Sequence, residues 1–181
     1  MARPSIEGTH VSPTAFQIRP ELLDTMIEGA SFLARRIGEV HPKNRTPSPS
    51  NAHWLRVLIE FASVELDTDS LRWDACSDLT PVPSLQARNP QVSATIAKVV
   101  RPTSGAVRVS LRIPDEQRII LRKIECAAQA LDWTVDFNQT AVMNLLVMLF
   151  GQKLNQALLH GSYPPPERSS LLGAGIKKGA S

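Results

Sequence analysis

Cysteine is scarce in this sequence, since Cys76 and Cys126 are the only two. They lie far apart, form no CxxC pair and have no histidine cluster beside them, so we expect no zinc or other metal site. A reducing compartment suits two such cysteines. We expect each of them to be a small, buried, apolar residue.

Long apolar runs and catalytic motifs are also absent. The most apolar stretch, 141–150, is shorter than a membrane span and contains Asn144. The first ten residues lack the apolar core of a secretory signal, so we predict a cytoplasmic protein. The sequence contains no P-loop, GxGxxG, HExxH or GxSxG motif. We therefore expect a protein that is not an enzyme and that needs no cofactor.

Charge and proline content are more informative. The chain has 20 Lys+Arg against 17 Asp+Glu, a balance that permits a nucleic-acid partner without demanding one. Its 14 prolines cluster, which is typical of linkers. The pattern divides the chain into a flexible N-terminus at 1–12, a first unit at 13–66, a connector at 67–104, a second unit at 105–160 and a flexible tail at 161–181.

The second unit has the clearer pattern. Residues 107–113 alternate between apolar and polar side chains without a break, which is typical of a strand with one buried face. Pro114 ends this strand, and a helix is predicted over 115–131. A second helix is predicted over 140–158, with Asn138 or Thr140 as its N-cap. This helix is apolar nearly all round, so a second copy of the unit must pack against it.

The same order of elements occurs earlier in the chain. Residues 15–19 form a short alternating strand, and a helix begins at Pro20 and is predicted to end at Gly38. A loop rich in proline and serine, 41–50, leads to Asn51, the expected N-cap of another apolar helix.

The two units correspond in pattern rather than in identity. Phe16 corresponds to Val109 and Ile18 to Leu111, at the same separation along the chain. In the connector, residues 92–100 are expected to add an element of their own.

These segments resemble the ribbon-helix-helix superfamily, which contains the Arc and MetJ repressors. The resemblance lies in Val-Arg-Val-Ser-Leu-Arg-Ile-Pro at 107–114 and the helices that follow it, while the first copy, 15–66, is a weaker match. In that family two strand–helix–helix chains intertwine, and their strands pair into a ribbon that enters the DNA major groove. Two copies in one chain are similar to the tandem proteins of conjugation and T-DNA transfer, such as TraY-type and VirC-operon proteins.

The resemblance implies a mainly α fold with a short two-stranded antiparallel ribbon, arranged as a tandem ribbon-helix-helix pseudo-dimer. It also implies which residues contact DNA. The expected base contacts are Arg108, Ser110, Arg112, Gln17 and Arg19. The expected phosphate contacts are Asn138, Gln139, Thr140, Ser50, Asn51 and Arg101.

The implied function is binding of double-stranded DNA at an asymmetric site, because the outward residues of the two strands differ. A role as a DNA-transfer accessory factor, of the relaxosome or T-DNA type, or as a transcriptional repressor would suit a monomeric pseudo-dimer. Other DNA-processing proteins are then expected partners, and a membrane is not. The alternative is a protein-interaction module, antitoxin-like or adaptor, without direct DNA binding. The proline-rich loop and the tail would suit it.

Overall fold

The computed structural model describes residues 12–40, 51–71, 85, 88–101, 103–131 and 137–163. This part of the chain is mainly helical, with five α-helices and a two-stranded antiparallel sheet, as the sequence predicts. The elements in chain order are β1 (Ser12–Ile18), α1 (Leu23–Val40), α2 (Asn51–Glu65), α3 (Val92–Val99), β2 (Val107–Ile113), α4 (Asp115–Gln129) and α5 (Gln139–Leu159). Short 3-10 turns occur at Pro20–Leu22 and Thr68–Ser70.

β1 and β2 form a ribbon in which all seven residues of one strand pair with all seven of the other. Side chains directly opposite each other share a face of the ribbon. The inner face buries Phe16 and Ile18 from β1 and Leu111 and Ile113 from β2. The strand predicted over 107–113 is therefore confirmed.

β1 is longer at its start than the predicted strand over 15–19, and it ends one residue earlier. Pro13 has no N–H to donate to a neighbouring strand, which disfavours it within a sheet. In a two-stranded ribbon each strand is an edge strand, where proline is tolerated, and pairing with β2 extends β1 back to Ser12. Arg19 lies outside β1 because Pro20 begins a 3-10 turn.

α1 does not end at Gly38 but continues to Val40. A glycine that ends a helix does so by adopting a positive φ. Among the described glycines, only Gly105 and Gly161 have a positive φ. Gly38 keeps the helical conformation, so the predicted helix end is wrong.

α5 is the central helix of the fold, and it packs against α1, α2, α3, α4 and β1. These neighbours surround it, which explains why the helix is apolar on nearly every face. The helices contact elements of both units. α5 lies against α1 and β1 of the first unit and α4 of its own, and α2 lies against α4 and β2 of the second unit and α1 of its own. α2 and α5 also contact each other.

α1, α2 and α5 meet at a close contact centred on Gly29. Trp54 Nε1 of α2 donates a hydrogen bond of 3.0 Å to Asn155 Oδ1 of α5. Asn155 Nδ2 donates in turn to the Thr25 carbonyl oxygen of α1 at 2.9 Å. A Cβ atom on Gly29 would lie 2.1 Å from Trp54 Nε1 and 2.2 Å from Asn155 Oδ1. Only glycine allows this approach, which joins the three helices through one buried amide.

The connector contributes α3, in line with the element expected over 92–100. α3 contacts α5, and Val92, Ile96 and Val99 are its buried apolar residues. At the C-terminal end of α3, Arg101 N donates to the Lys98 carbonyl oxygen. Residues 72–84, 86, 87 and 102 of the connector lie outside the described residues.

Two other features of the described residues bear on the expectations. No helix there is both long and apolar enough to cross a membrane, and no three His, Cys, Asp or Glu side chains come together as a metal site would need.

Cys126 is buried as expected, but it is disulfide-bonded rather than reduced. Sequence spacing cannot reveal which sulfur atoms approach within bonding distance. A disulfide is also not what the expected reducing compartment would maintain. Cys76 lies outside the described residues.

Candidate nucleic-acid interface

The outer face of the ribbon is exposed along its whole length. Its six positions are filled by three residues from each strand: Pro13, Ala15, Gln17, Arg108, Ser110 and Arg112. Two are arginines, and none of the six is acidic. Gln17 lies opposite Arg108, and Arg112 lies at the other end of the face. Four of the five expected base-contact residues are therefore on one exposed face.

Arg19 is the exception, because its side chain does not belong to that face. Its guanidinium donates to the Lys98 carbonyl oxygen at 2.8 Å and to the Arg101 carbonyl oxygen at 3.1 Å. It also pairs with Glu21 Oε1 at 2.5 Å, and only 14% of the side chain is exposed. The Arg19 hydrogen bond holds the pKa of Glu21 below its ordinary value. The structure therefore does not place Arg19 on the outer face with the other expected base contacts, because its guanidinium binds Glu21 and the carbonyl oxygens of Lys98 and Arg101.

A cleft of about 200 Å³ opens beside the ribbon, between the end of β1, the end of α3 and the start of α5. Five residues predicted to bind DNA line it: Gln17, Arg19, Arg101, Asn138 and Thr140. No lining residue is acidic. The cleft thus joins one edge of the outer face to the N-terminus of a helix, where phosphate groups commonly bind.

The N-terminus of α5 has a regular helix cap. The side chain of Asn138 accepts a hydrogen bond of 3.0 Å from Ala141 N. Gln139 and Thr140 form the first turn and are partly exposed. The first backbone N–H groups of a helix have no partner within it, and the helix dipole favours an anion at this end. The geometry is therefore suited to a phosphate oxygen.

The matching position in the first unit is the start of α2. Asn51 is its first residue and is partly exposed. α2 packs against β2, as α5 packs against β1. Ser50, the other expected phosphate contact on this side, lies outside the described residues.

Asn144 positions the ribbon against α5, a role that the sequence did not suggest. It is 2% exposed, and its Oδ1 accepts a hydrogen bond of 3.0 Å from Arg19 N. Its Nδ2 donates to the carbonyl oxygens of Gln17 at 2.8 Å and Thr140 at 2.9 Å. One buried amide therefore connects the end of β1 to the helix N-terminus. The sequence did contain one signal for this role, because Asn144 is a lone polar residue within an apolar stretch.

Replacing Asn144 by leucine, which has a similar volume, is expected to destabilise the protein by about 1–3 kcal/mol. The substitution removes the partners of Arg19 N and of the Gln17 carbonyl oxygen. Urea unfolding followed by circular dichroism measures the loss. The Arg19 amide should also exchange its hydrogen faster.

Gln156→Leu is the control, because Gln156 is an exposed polar residue of the same helix. It should change stability by no more than about 0.5 kcal/mol. Equal effects of the two substitutions would mean that Asn144 does not anchor the strand.

Comparison of the chain with protein-family models, with curated proteins and with solved structures finds no match in any of the three. The residues of the ribbon and of the cleft are therefore the observations that bear on function.

Proposed function

We propose that this protein binds double-stranded DNA by inserting the outer face of its ribbon into the major groove. The observation that carries the proposal is the exposed face containing Arg108, Arg112, Ser110 and Gln17, with no acidic side chain. The major groove admits a two-stranded ribbon, and these residue types pair with base edges there. We thus propose a binding protein rather than an enzyme.

We further propose that the two units form a ribbon-helix-helix pseudo-dimer within one chain. In a pseudo-dimer, a two-fold axis relates β1 to β2. Where this axis crosses the ribbon, the two residues paired across it must occupy corresponding positions in the two strands. The register has Phe16 directly opposite Val109, and these are the two residues that correspond in the sequence pattern. The contacts that α2 and α5 make with the strand and first helix of the other unit are also what an intertwined pair would give. Both observations support the proposal.

The phosphate contacts in this proposal flank the ribbon. Asn138, Gln139 and Thr140 at the start of α5 serve one side, and Asn51 at the start of α2 serves the other. Contacts of this kind fix the register of a protein on DNA, while base contacts provide specificity. The cleft, which joins Gln17 to Asn138 and Thr140, supports such a division of roles.

The outer face is not symmetric, and this favours an asymmetric DNA site. β2 presents Arg108, Ser110 and Arg112, whereas β1 presents Pro13, Ala15 and Gln17. Identical half-units would prefer a palindrome. Within the class of DNA-binding proteins, we propose an accessory factor in DNA transfer, of the relaxosome or T-DNA type, ahead of a transcriptional repressor.

The proposal can be tested by introducing a carboxylate at the centre of the outer face. Ser110 lies opposite Ala15 and is exposed, so Ser110→Glu should leave the fold intact. It should weaken binding to a mixed-sequence duplex by at least about tenfold, because like charges brought together at an interface cost several kcal/mol. Fluorescence anisotropy across a salt series measures the binding. For the unaltered protein, the binding constant should fall steeply with salt.

Gln156→Glu is the matched control. It makes the same change of charge at an exposed position of α5, seventeen residues beyond Gln139. It should leave the binding constant within about twofold, since exposed charges beyond a Debye length are largely screened. Equal weakening by both variants would contradict a role for the ribbon. No binding by the unaltered protein at low salt would overturn the proposal and favour a partner protein instead.

A further inference from the structure

We propose that Arg19 is a positioning residue which holds α3 beside the ribbon, so that Lys98 and Arg101 contact the DNA phosphates that flank one side of the bound site. This inference rests on the proposed function. It assigns Arg19 a role other than base contact, and it adds Lys98 to the interface.

The C-terminal end of α3 lies beside the Arg19 guanidinium. Carbonyl oxygens at the end of a helix carry partial negative charge, which opposes the approach of a phosphate. Here the Arg19 guanidinium binds the carbonyl oxygens of Lys98 and Arg101. Glu21, the nearby carboxylate, is paired with the same guanidinium. Arg19 therefore offsets the negative groups at this corner of the molecule.

This arrangement leaves two basic side chains exposed at the end of α3. Lys98 and Arg101 both have exposed side chains, and Arg101 lines the cleft with Gln17 and Asn138. A phosphate bound at the N-terminus of α5 would thus have the end of α3 beside it. The two basic residues extend the contact surface beyond the ribbon on this side.

The two units differ in how they use the arginine at the end of the strand. Arg112 corresponds to Arg19 in the pattern of the two strands, yet Arg112 is exposed on the outer face and Arg19 is held on α3. The additional phosphate contacts are therefore expected on one flank, which would orient the protein on its site.

The test compares the salt dependence of binding to a mixed-sequence duplex. Removing one phosphate interaction reduces the slope of log K against log salt by about 0.9. Lys98→Ala/Arg101→Ala should reduce the slope by about 1.8. Arg19→Gln should produce a comparable reduction by releasing α3. Combining all three substitutions should reduce the slope no further, because Arg19 acts through the other two residues.

Arg35→Ala/Lys153→Ala is the control, because it removes the same amount of charge from the later halves of α1 and α5. For this control variant, the slope of log K against log salt should equal that of the unaltered protein. Thermal unfolding identifies any variant that fails to fold. If Arg19→Gln does not fold, Lys98→Ala/Arg101→Ala still tests the phosphate contacts, because it changes two exposed positions.

The outcomes separate this inference from the proposed function. Binding that is sensitive to Ser110→Glu, together with an unchanged slope for Lys98→Ala/Arg101→Ala, overturns the role of α3 in binding phosphates and leaves the ribbon proposal standing. A triple variant with a slope about 0.9 smaller than the double variant means that Arg19 itself contacts DNA. Absence of duplex binding by the unaltered protein overturns both.

Discussion

Replacing Arg108 and Arg112 by alanine together is expected to weaken binding to a preferred DNA site by roughly 30-fold to 10⁴-fold. Each arginine that donates two hydrogen bonds to a guanine contributes about 1–3 kcal/mol of discrimination, so the pair contributes about 2–6 kcal/mol. Both side chains are exposed on the outer face of the ribbon, so their removal should not disturb the core. The measurement is fluorescence anisotropy with a duplex selected from a random pool by the unaltered protein.

The matched variant keeps the charge and changes only the geometry. Arg108→Lys/Arg112→Lys retains two positive groups but loses the planar fork that binds a guanine edge. It should bind a mixed-sequence duplex nearly as well as the unaltered protein does. Its preference for the selected site should fall by more than about tenfold.

Two results would contradict the prediction. If the lysine variant keeps its preference for the selected site, the arginines act as point charges and do not read bases. If the alanine variant binds the selected site as tightly as the unaltered protein does, the outer face of the ribbon is not the DNA-binding surface. Circular dichroism confirms that each variant keeps its helical content before binding is compared.

Gly29→Ala is expected to destabilise the fold by about 1–5 kcal/mol. The added Cβ would lie 2.1 Å from Trp54 Nε1 and 2.2 Å from Asn155 Oδ1, so α1 or the Trp54 ring must move. Overpacking of this kind costs about 1–3 kcal/mol and occasionally more. Loss of the buried hydrogen bond between Trp54 and Asn155 adds about 1–3 kcal/mol. The higher helix propensity of alanine returns at most about 1 kcal/mol.

Gly38→Ala provides the control on the same helix. A Cβ at Gly38 would meet no other atom within 4 Å, and the residue has a helical conformation. This substitution should therefore stabilise the protein by about 0.5–1 kcal/mol. Urea unfolding measures the free energy of both variants. A Gly29→Ala protein as stable as Gly38→Ala would mean that the three helices do not meet closely at Gly29.

Much of the fold could be predicted from the second unit, because its signals are local. Alternation over 107–113 specifies a strand and its buried face, and Asn138 is a favourable cap at the start of α5. The apolar surface of α5 also indicated that further elements must surround it. The exposure of Arg108, Ser110 and Arg112 follows from the same alternation.

Pro13 and Arg19 show how contacts between distant segments outweigh local preference. Pro13 belongs to β1 because β2 pairs with it. Gly38 is a different case, since it stays helical although glycine often ends a helix and no packing contact at its Cβ position accounts for this. Arg19 has the residue type of a base contact, but carbonyl oxygens of α3 lie within its reach. No spacing in the sequence brings residue 19 beside residues 98 and 101.

The sequence by itself determined the period of each main element and the chemistry of the outer face, because both depend on residues adjacent in the chain. Only the tertiary structure decided which buried polar groups meet. Asn144 joins β1 to α5, and Asn155 joins Trp54 of α2 to Thr25 of α1. A buried amide is stable only where its hydrogen bonds are satisfied, and the partners of Asn144 in and beside β1 and of Asn155 in α1 and α2 lie more than a hundred residues away along the chain.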